Sequence, residues 1–157
     1  MARQSKAAFF WIVGLLRKQK IPFQITGGMA ARAYGSNRPL ADIDIEVRDD
    51  AVYRIQKEAA QYAIYGPKHY KNKPFDLLLM TLKYKGQEID ICGIDSQKLF
   101  NSKTKRWIAQ HIELDKAKRK KINGIFVPVV PMEDLISYKR IIQRDVDLLD
   151  IHALSSS

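Results

Sequence analysis

The residues best suited to chemistry lie between positions 25 and 47, in ITGGMAARAYGSNRPLADIDIEV. There Asp42, Asp44 and Glu46 alternate with Ile43, Ile45 and Val47. A strand repeats every two residues, so the three acids share one face and the three aliphatic residues the other. Aspartate is a poor strand former, and two of them inside a β-branched run call for a reason. Two carboxylates about 7 Å apart on one strand face can lean together and share divalent cations. Mg²⁺ suits such a pair because it binds few carboxylates, keeps water, and takes its remaining ligands from substrate phosphates. The alternative is a half-exposed strand whose acids simply face water.

Upstream of the acids, PFQIT reads as a strand leading into Gly27 and Gly28, with a helix over about Met29 to Tyr34. Lacking Cβ atoms, the two glycines let backbone N–H groups close on a phosphate at the positive end of that helix. A plain strand-to-helix turn would use the same residues, and no Walker-type lysine and serine follow. Gly35, Ser36, Asn37, Arg38 and Pro39 form the turn that returns the acidic strand beside the first.

The elements that must position these residues can be traced along the chain. Arg3 and Lys6 followed by AAFFWIVGLL resemble the start of a signal peptide. That run ends at Leu16 in RKQK with no small-residue cleavage site, and it is about half of the ~20 residues a membrane-spanning helix needs. Phe9, Ile12, Val13 and Leu16 recur at helical spacing, which predicts an amphipathic helix over Gln4 to Lys20 packed on the domain. An interfacial membrane helix is the alternative. Asp49 and Asp50 open a second helix with Val52, Ile55 and Ala59 inward. Residues 66–76, GPKHYKNKPFD, read as a loop whose lysines interleave with aromatics, which suits phosphate and base contacts as well as ordinary solvation.

Leu77 to Lys83 and Gln87 to Ile91 predict a hairpin turning at Lys85-Gly86. Its second strand places Glu88, Asp90 and Cys92 on one face. Cys92 is read as a packing residue, since no base partners it. Lys121 to Val130 predicts another hairpin, with Asn123-Gly124 as a type I′ turn. From Pro131 onward the chain reads as helix, with Leu135, Ile142, Val146, Leu149 and Ala153 as the apolar stripe and Lys139, Gln143, Asp147 and Asp150 on an adjacent face. A break near 144–145 would change which residues share that face. His69, His111 and His152 show no metal-ligand spacing.

Length and charge bound the answer. A chain of 157 residues, 46% hydrophobic, is enough for one domain spanning residues 1–157. The net charge of +10 points to an anionic partner, nucleic acid first. Much of the excess lies between Lys98 and Lys121, with nine basic residues against two acids. A single cysteine excludes an internal disulfide and a zinc cluster and favours a reducing, cytoplasmic setting.

The order strand, Gly-Gly, helix, turn with Ser and Arg, then Asp-Ile-Asp-Ile resembles the nucleotidyltransferase superfamily of the DNA polymerase β type. GGMAARAYGSNRPLADIDI is most similar to small bacterial abortive-infection toxin nucleotidyltransferases and antibiotic nucleotidyltransferases. The resemblance implies an α/β (α+β) fold: a small mixed sheet with flanking helices and a helical C-terminal portion. It implies two Mg²⁺ on Asp42 and Asp44, with Asp90 of Ile-Asp-Ile as the third metal acid and the group that deprotonates the acceptor. Glu88 competes with Asp90 on the same face. Gly27, Gly28, Ser36 and Arg38 would hold a nucleoside triphosphate, and Lys139 would reach its phosphates from the C-terminal helix.

The activity implied is transfer of a nucleoside monophosphate to an acceptor hydroxyl, with RNA, tRNA above all, as the expected acceptor. A toxin role would add a neutralising antitoxin protein as partner, and no membrane is expected. The alternatives are transfer to a small molecule such as an antibiotic, or an inactive relative that only binds RNA.

Overall fold

The structure, a computed structural model, describes residues 3–155, with side chains from Ser5 onward. At its centre is the acidic strand β2 (Ile43–Val47), antiparallel to β1 (Gln24–Thr26) and parallel to β5 (Gln87–Gly93). On one side β1 runs parallel to β9 (Ile125–Val129), which carries β8 (Lys118–Ile122). On the other side β5 pairs with β4 (Phe75–Tyr84), and β4 also takes β3 (Ala63–Asn72) and β6 (Lys98–Asn101), the latter continued by β7 (Arg106–Ala109). The result is one mixed sheet of nine strands, in the order β7-β6-β4-β5-β2-β1-β9-β8 with β3 on β4.

The mixed α/β expectation holds, with a sheet larger than the small one expected. Two segments supply the extra strands. The segment read as a loop, residues 66–76, lies mostly in β3, and the cationic run from Lys98 forms β6, β7 and β8. Their sequences hide the period-two signal because both faces are largely solvated, as the half-exposed or exposed KRKKI of β8 shows. Lysine-rich edges of this kind also discourage pairing with a second chain.

Two helices cover the aliphatic face of β2. From α1 (Arg3–Lys18), Ala8, Phe9, Ile12, Val13 and Leu16 are buried, and from α3 (Asp49–Ala59), Ala51, Val52, Ile55 and Ala59. They share one apolar cluster with Ile43, Ile45, Val47, Met80, Leu82, Ile89 and Ile91. Trp11 of α1 stacks on Tyr84 at 4.4 Å and meets Tyr62 edge-on at 4.8 Å.

The C-terminal stretch is two helices, α4 (Met132–Ile142) and α5 (Asp145–Ser155), which pack with the short α2 (Gly27–Ala33). Gln143 takes a left-handed conformation (φ 52°) and ends α4. This break revises the expected apolar stripe: Leu149 is 60% exposed, whereas Asp147, Asp150 and Leu154 are buried. Among the described residues no helix is long and apolar enough to cross a membrane.

Candidate active site

Strand register sets Thr26, Asp44, Asp90 and Thr81 abreast across β1, β2, β5 and β4. Residues opposite one another on paired strands point to the same side, so Asp44 and Asp90 face each other's flank. Thr81 Oγ1 donates to Asp90 Oδ1 at 2.7 Å and fixes that carboxylate. Asp42, in the residue before β2, is half-buried beside them. Glu88 also lines the cavity but is exposed, and it is Asp90 that stands opposite Asp44 and holds Thr81.

The electrostatics match this crowding. Asp44 is pushed up to about 8, first by desolvation, then by Asp90 and Asp42, with Arg144 and Lys139 opposing. Desolvation followed by Asp90 and Glu88 raises Asp42. Asp90 is raised chiefly by desolvation, against the hydrogen bond from Thr81. Cys92 is held well above the ordinary thiol value by desolvation and by Asp44, Asp90 and Glu46, so it stays a thiol.

Gly27 sits at φ +64°, and a Cβ there would stand 2.1 Å from Asp44 Oδ2. Its first role is therefore to leave room for the carboxylate. A Cβ on Gly28 would meet Arg38 Nη2 at 3.1 Å and Leu40 Cδ2 at 3.3 Å, so the Arg38 guanidinium lies over this glycine.

A cationic wall closes the same cavity. Arg38 grips Asp150 through Nε at 3.0 Å and Nη2 at 2.8 Å, and Ser36 Oγ lies 3.2 Å from Asp150 Oδ1. Lys139 Nζ sits 3.0 Å from Asp150 and 3.1 Å from Asp147. Arg144 reaches Asp147 with Nε at 2.8 Å and Nη2 at 3.1 Å. Three cations thus share two buried carboxylates, leaving one net positive charge. Lys139 lines the cavity yet is only 1% exposed, so the expected reach to phosphates gives way here to a buried hub between two aspartates. Arg144, half-exposed over the Phe75 ring at 5.1 Å, offers more accessible charge.

The cavity measures about 690 Å³ and includes Gly27, Gly28, Arg38, Asp42, Asp44, Asp90, Lys139 and Arg144. Ser36 does not line it and acts through Asp150. Several lining residues escape a sequence reading. Glu46 was set aside for want of a partner, yet it is buried, lines the cavity and accepts from Gln24 Nε2 at 2.8 Å. The signal was the cross-strand pair Gln24 and Glu46, visible only once β1 is registered on β2. Tyr65, Tyr70 and Phe75 form an aromatic wall from β3 and β4.

Among the described residues no three His, Cys, Asp or Glu side chains are grouped to hold an ion by themselves. The donor set nevertheless fits a hard divalent cation. It consists of carboxylates alone, their proton affinities are raised by mutual proximity, and Mg²⁺ needs only one or two carboxylates when water and phosphate complete its shell.

No protein-family profile and no curated protein matches the sequence. Solved structures do. A protein from Thermotoga maritima assigned as a nucleotidyltransferase is 18% identical over 99% of this chain and 92% of its own, with a TM-score of 0.69. The lincosamide antibiotic adenylyltransferase LnuA, lincomycin-bound, is 19% identical over 94% of each chain, with a TM-score of 0.65. The chain has the nucleotidyltransferase fold. A third nucleotidyltransferase-fold structure, ANT(2")-Ia in complex with adenylyl-2"-tobramycin, is 14% identical over 96% of this chain and 87% of its own, with a TM-score of 0.61.

Proposed function

We propose that the protein is a nucleotidyltransferase that moves a nucleoside monophosphate from a nucleoside triphosphate to an acceptor hydroxyl and releases pyrophosphate. The observation that carries this reading is the pairing of Asp44 with Asp90 across the β2–β5 ladder, with Gly27 opened to admit Asp44 and a cationic wall opposite. Asp42, Asp44 and Asp90 would hold two Mg²⁺, which supply Lewis-acid polarisation of the α-phosphate and stabilise the attacking and leaving oxygens. Asp90, oriented by Thr81, accepts the proton of the acceptor hydroxyl. Gly28 lets the triphosphate approach the backbone, and the surplus positive charge of Arg38, Lys139 and Arg144 offsets the charge on the departing pyrophosphate. Ser36 keeps Asp150 in place for Arg38.

For the acceptor, the net charge of +10 supports RNA, with tRNA as the first candidate. A toxin role with a neutralising protein partner would follow from such a target, as would a cytoplasmic setting where triphosphates and Mg²⁺ abound. A second reading, transfer to a small hydroxylated antibiotic, draws on the fold shared with LnuA and ANT(2")-Ia. The two separate in one assay with Mg²⁺ and each α-labelled triphosphate, offered either total RNA or a panel of lincosamides and aminoglycosides. Label recovered in RNA supports the first reading and label on a drug the second. Tight RNA binding without label in either fraction would leave an inactive RNA-binding relative.

A further inference from the structure

Segments far apart in sequence meet beside the cavity. Residues 63–75 contain Lys68, Lys71 and Lys73, residues 98–109 contain Lys98, Lys103, Lys105 and Arg106, and neither stretch holds an acid. All seven cations are exposed. Asp76, next in sequence, is buried and meets His69 Nε2 at 2.5 Å.

The fold interleaves these cations with aromatic rings. Lys68 Nζ stands 4.5 Å from the Tyr65 ring centroid, and Tyr65 meets Tyr70 edge-on at 6.1 Å. Lys73 Nζ lies 4.4 Å from the Phe100 ring, Phe100 packs edge-on with Trp107 at 5.4 Å, and Lys71 Nζ is 5.3 Å from Trp107. The backbone N–H of Phe100 donates to Pro74 at 2.8 Å, which ties β6 to the β3–β4 turn. Tyr65, Tyr70 and Lys73 line the cavity, whereas Phe100, Trp107 and Lys71 lie outside it. Lys73 belongs to both groups, so aromatic and cationic groups run without a break from the cavity over the turn to the β6–β7 hairpin.

We propose that this surface, from the β3–β4 turn to the β6–β7 hairpin, is the path by which a single-stranded RNA acceptor reaches the cavity. The inference rests on the reading of the site as a nucleotidyl-transfer centre. Cations spaced along a groove follow phosphates, and rings between them accept unstacked bases. Half-buried Trp107 and Phe100 keep ring area available, while the lysines over their faces would be displaced toward the RNA backbone.

The test measures binding of a dye-labelled single-stranded RNA oligonucleotide across a salt series, alongside binding of a fluorescent nucleoside triphosphate in Mg²⁺. Trp107→Ala should weaken RNA roughly tenfold. The pair Lys71→Gln and Arg106→Gln should reduce the slope of log affinity against log salt by about one unit. Triphosphate binding should not change in either variant. The pair Lys118→Gln and Lys121→Gln, on β8 at the opposite end of the sheet, should leave RNA binding nearly as strong as in the wild type. An equal loss from the β8 pair, or no loss from the β6–β7 variants, overturns the proposed path. Wild-type protein that binds triphosphate but no RNA also overturns it while the nucleotidyl-transfer reading stands. RNA binding that follows the variants as described, without triphosphate binding, supports the path and removes that reading instead.

Discussion

Asp44 carries opposing demands at the residue scale. Its folded pKa, about 8, lies above its ordinary value, so the folded chain holds this proton more tightly than the unfolded one. The metal-free fold therefore loses stability from this group as pH rises from about 4 toward 8. Asp44→Asn cannot ionise, so thermal melts of metal-free protein should show it more stable than wild type near pH 8 and little different near pH 5. A wild-type melting temperature at least as high as that of the variant near pH 8 would contradict this. Gly27→Ala should lower transfer by about 100-fold, because its Cβ overlaps Asp44 Oδ2 and displaces a group that must be placed within about 1 Å; steady-state rates check it. Asp42, Asp44 and Asp90 could be picked out by alternation within aliphatic runs, and the structure brings them together. Thr81 and Glu46 could not, because a threonine or an acid in a strand has commoner explanations and their partners depend on register.

Among the elements, the α4–α5 corner sets the geometry of the cationic wall. Lys139 is buried against Asp147 and Asp150. Removing one partner of a buried charge group costs about 3–5 kcal/mol, so Lys139→Ala should lower the melting temperature by roughly 10 °C. A lysine that served only the triphosphate would lose activity in this variant with almost no change in melting. The corner itself was visible in sequence only as an alternative to one long helix, because no proline or glycine marks it and a glutamine takes the left-handed position. The Asn123-Gly124 turn was plainer, and both residues adopt the positive φ, 50° and 87°, that a type I′ turn needs. Strand β3 was read as a loop because Gly66, Pro67 and solvated lysines mask its pairing with β4.

The whole molecule hangs on one continuous sheet, which argues that the chain unfolds as a single unit. Trp11 sits in the cluster under β4 and β5, and Trp107 at the far edge on β7. Single-tryptophan variants Trp11→Phe and Trp107→Phe should report the same midpoint after correction for their stability difference. An earlier transition at Trp107 would make the β6–β7 hairpin a separate unit.

The central claim is that the carboxylate row acts on the α-phosphorus. Its most direct test supplies triphosphate labelled at either the α or the γ position, with Mg²⁺ and the acceptor fraction that takes label. The account predicts that α-label appears on the acceptor, that γ-label leaves as pyrophosphate, and that Asp42→Asn, Asp44→Asn and Asp90→Asn each abolish the transfer. Label arriving from the γ position, or α-label transfer undiminished in Asp44→Asn, would contradict it.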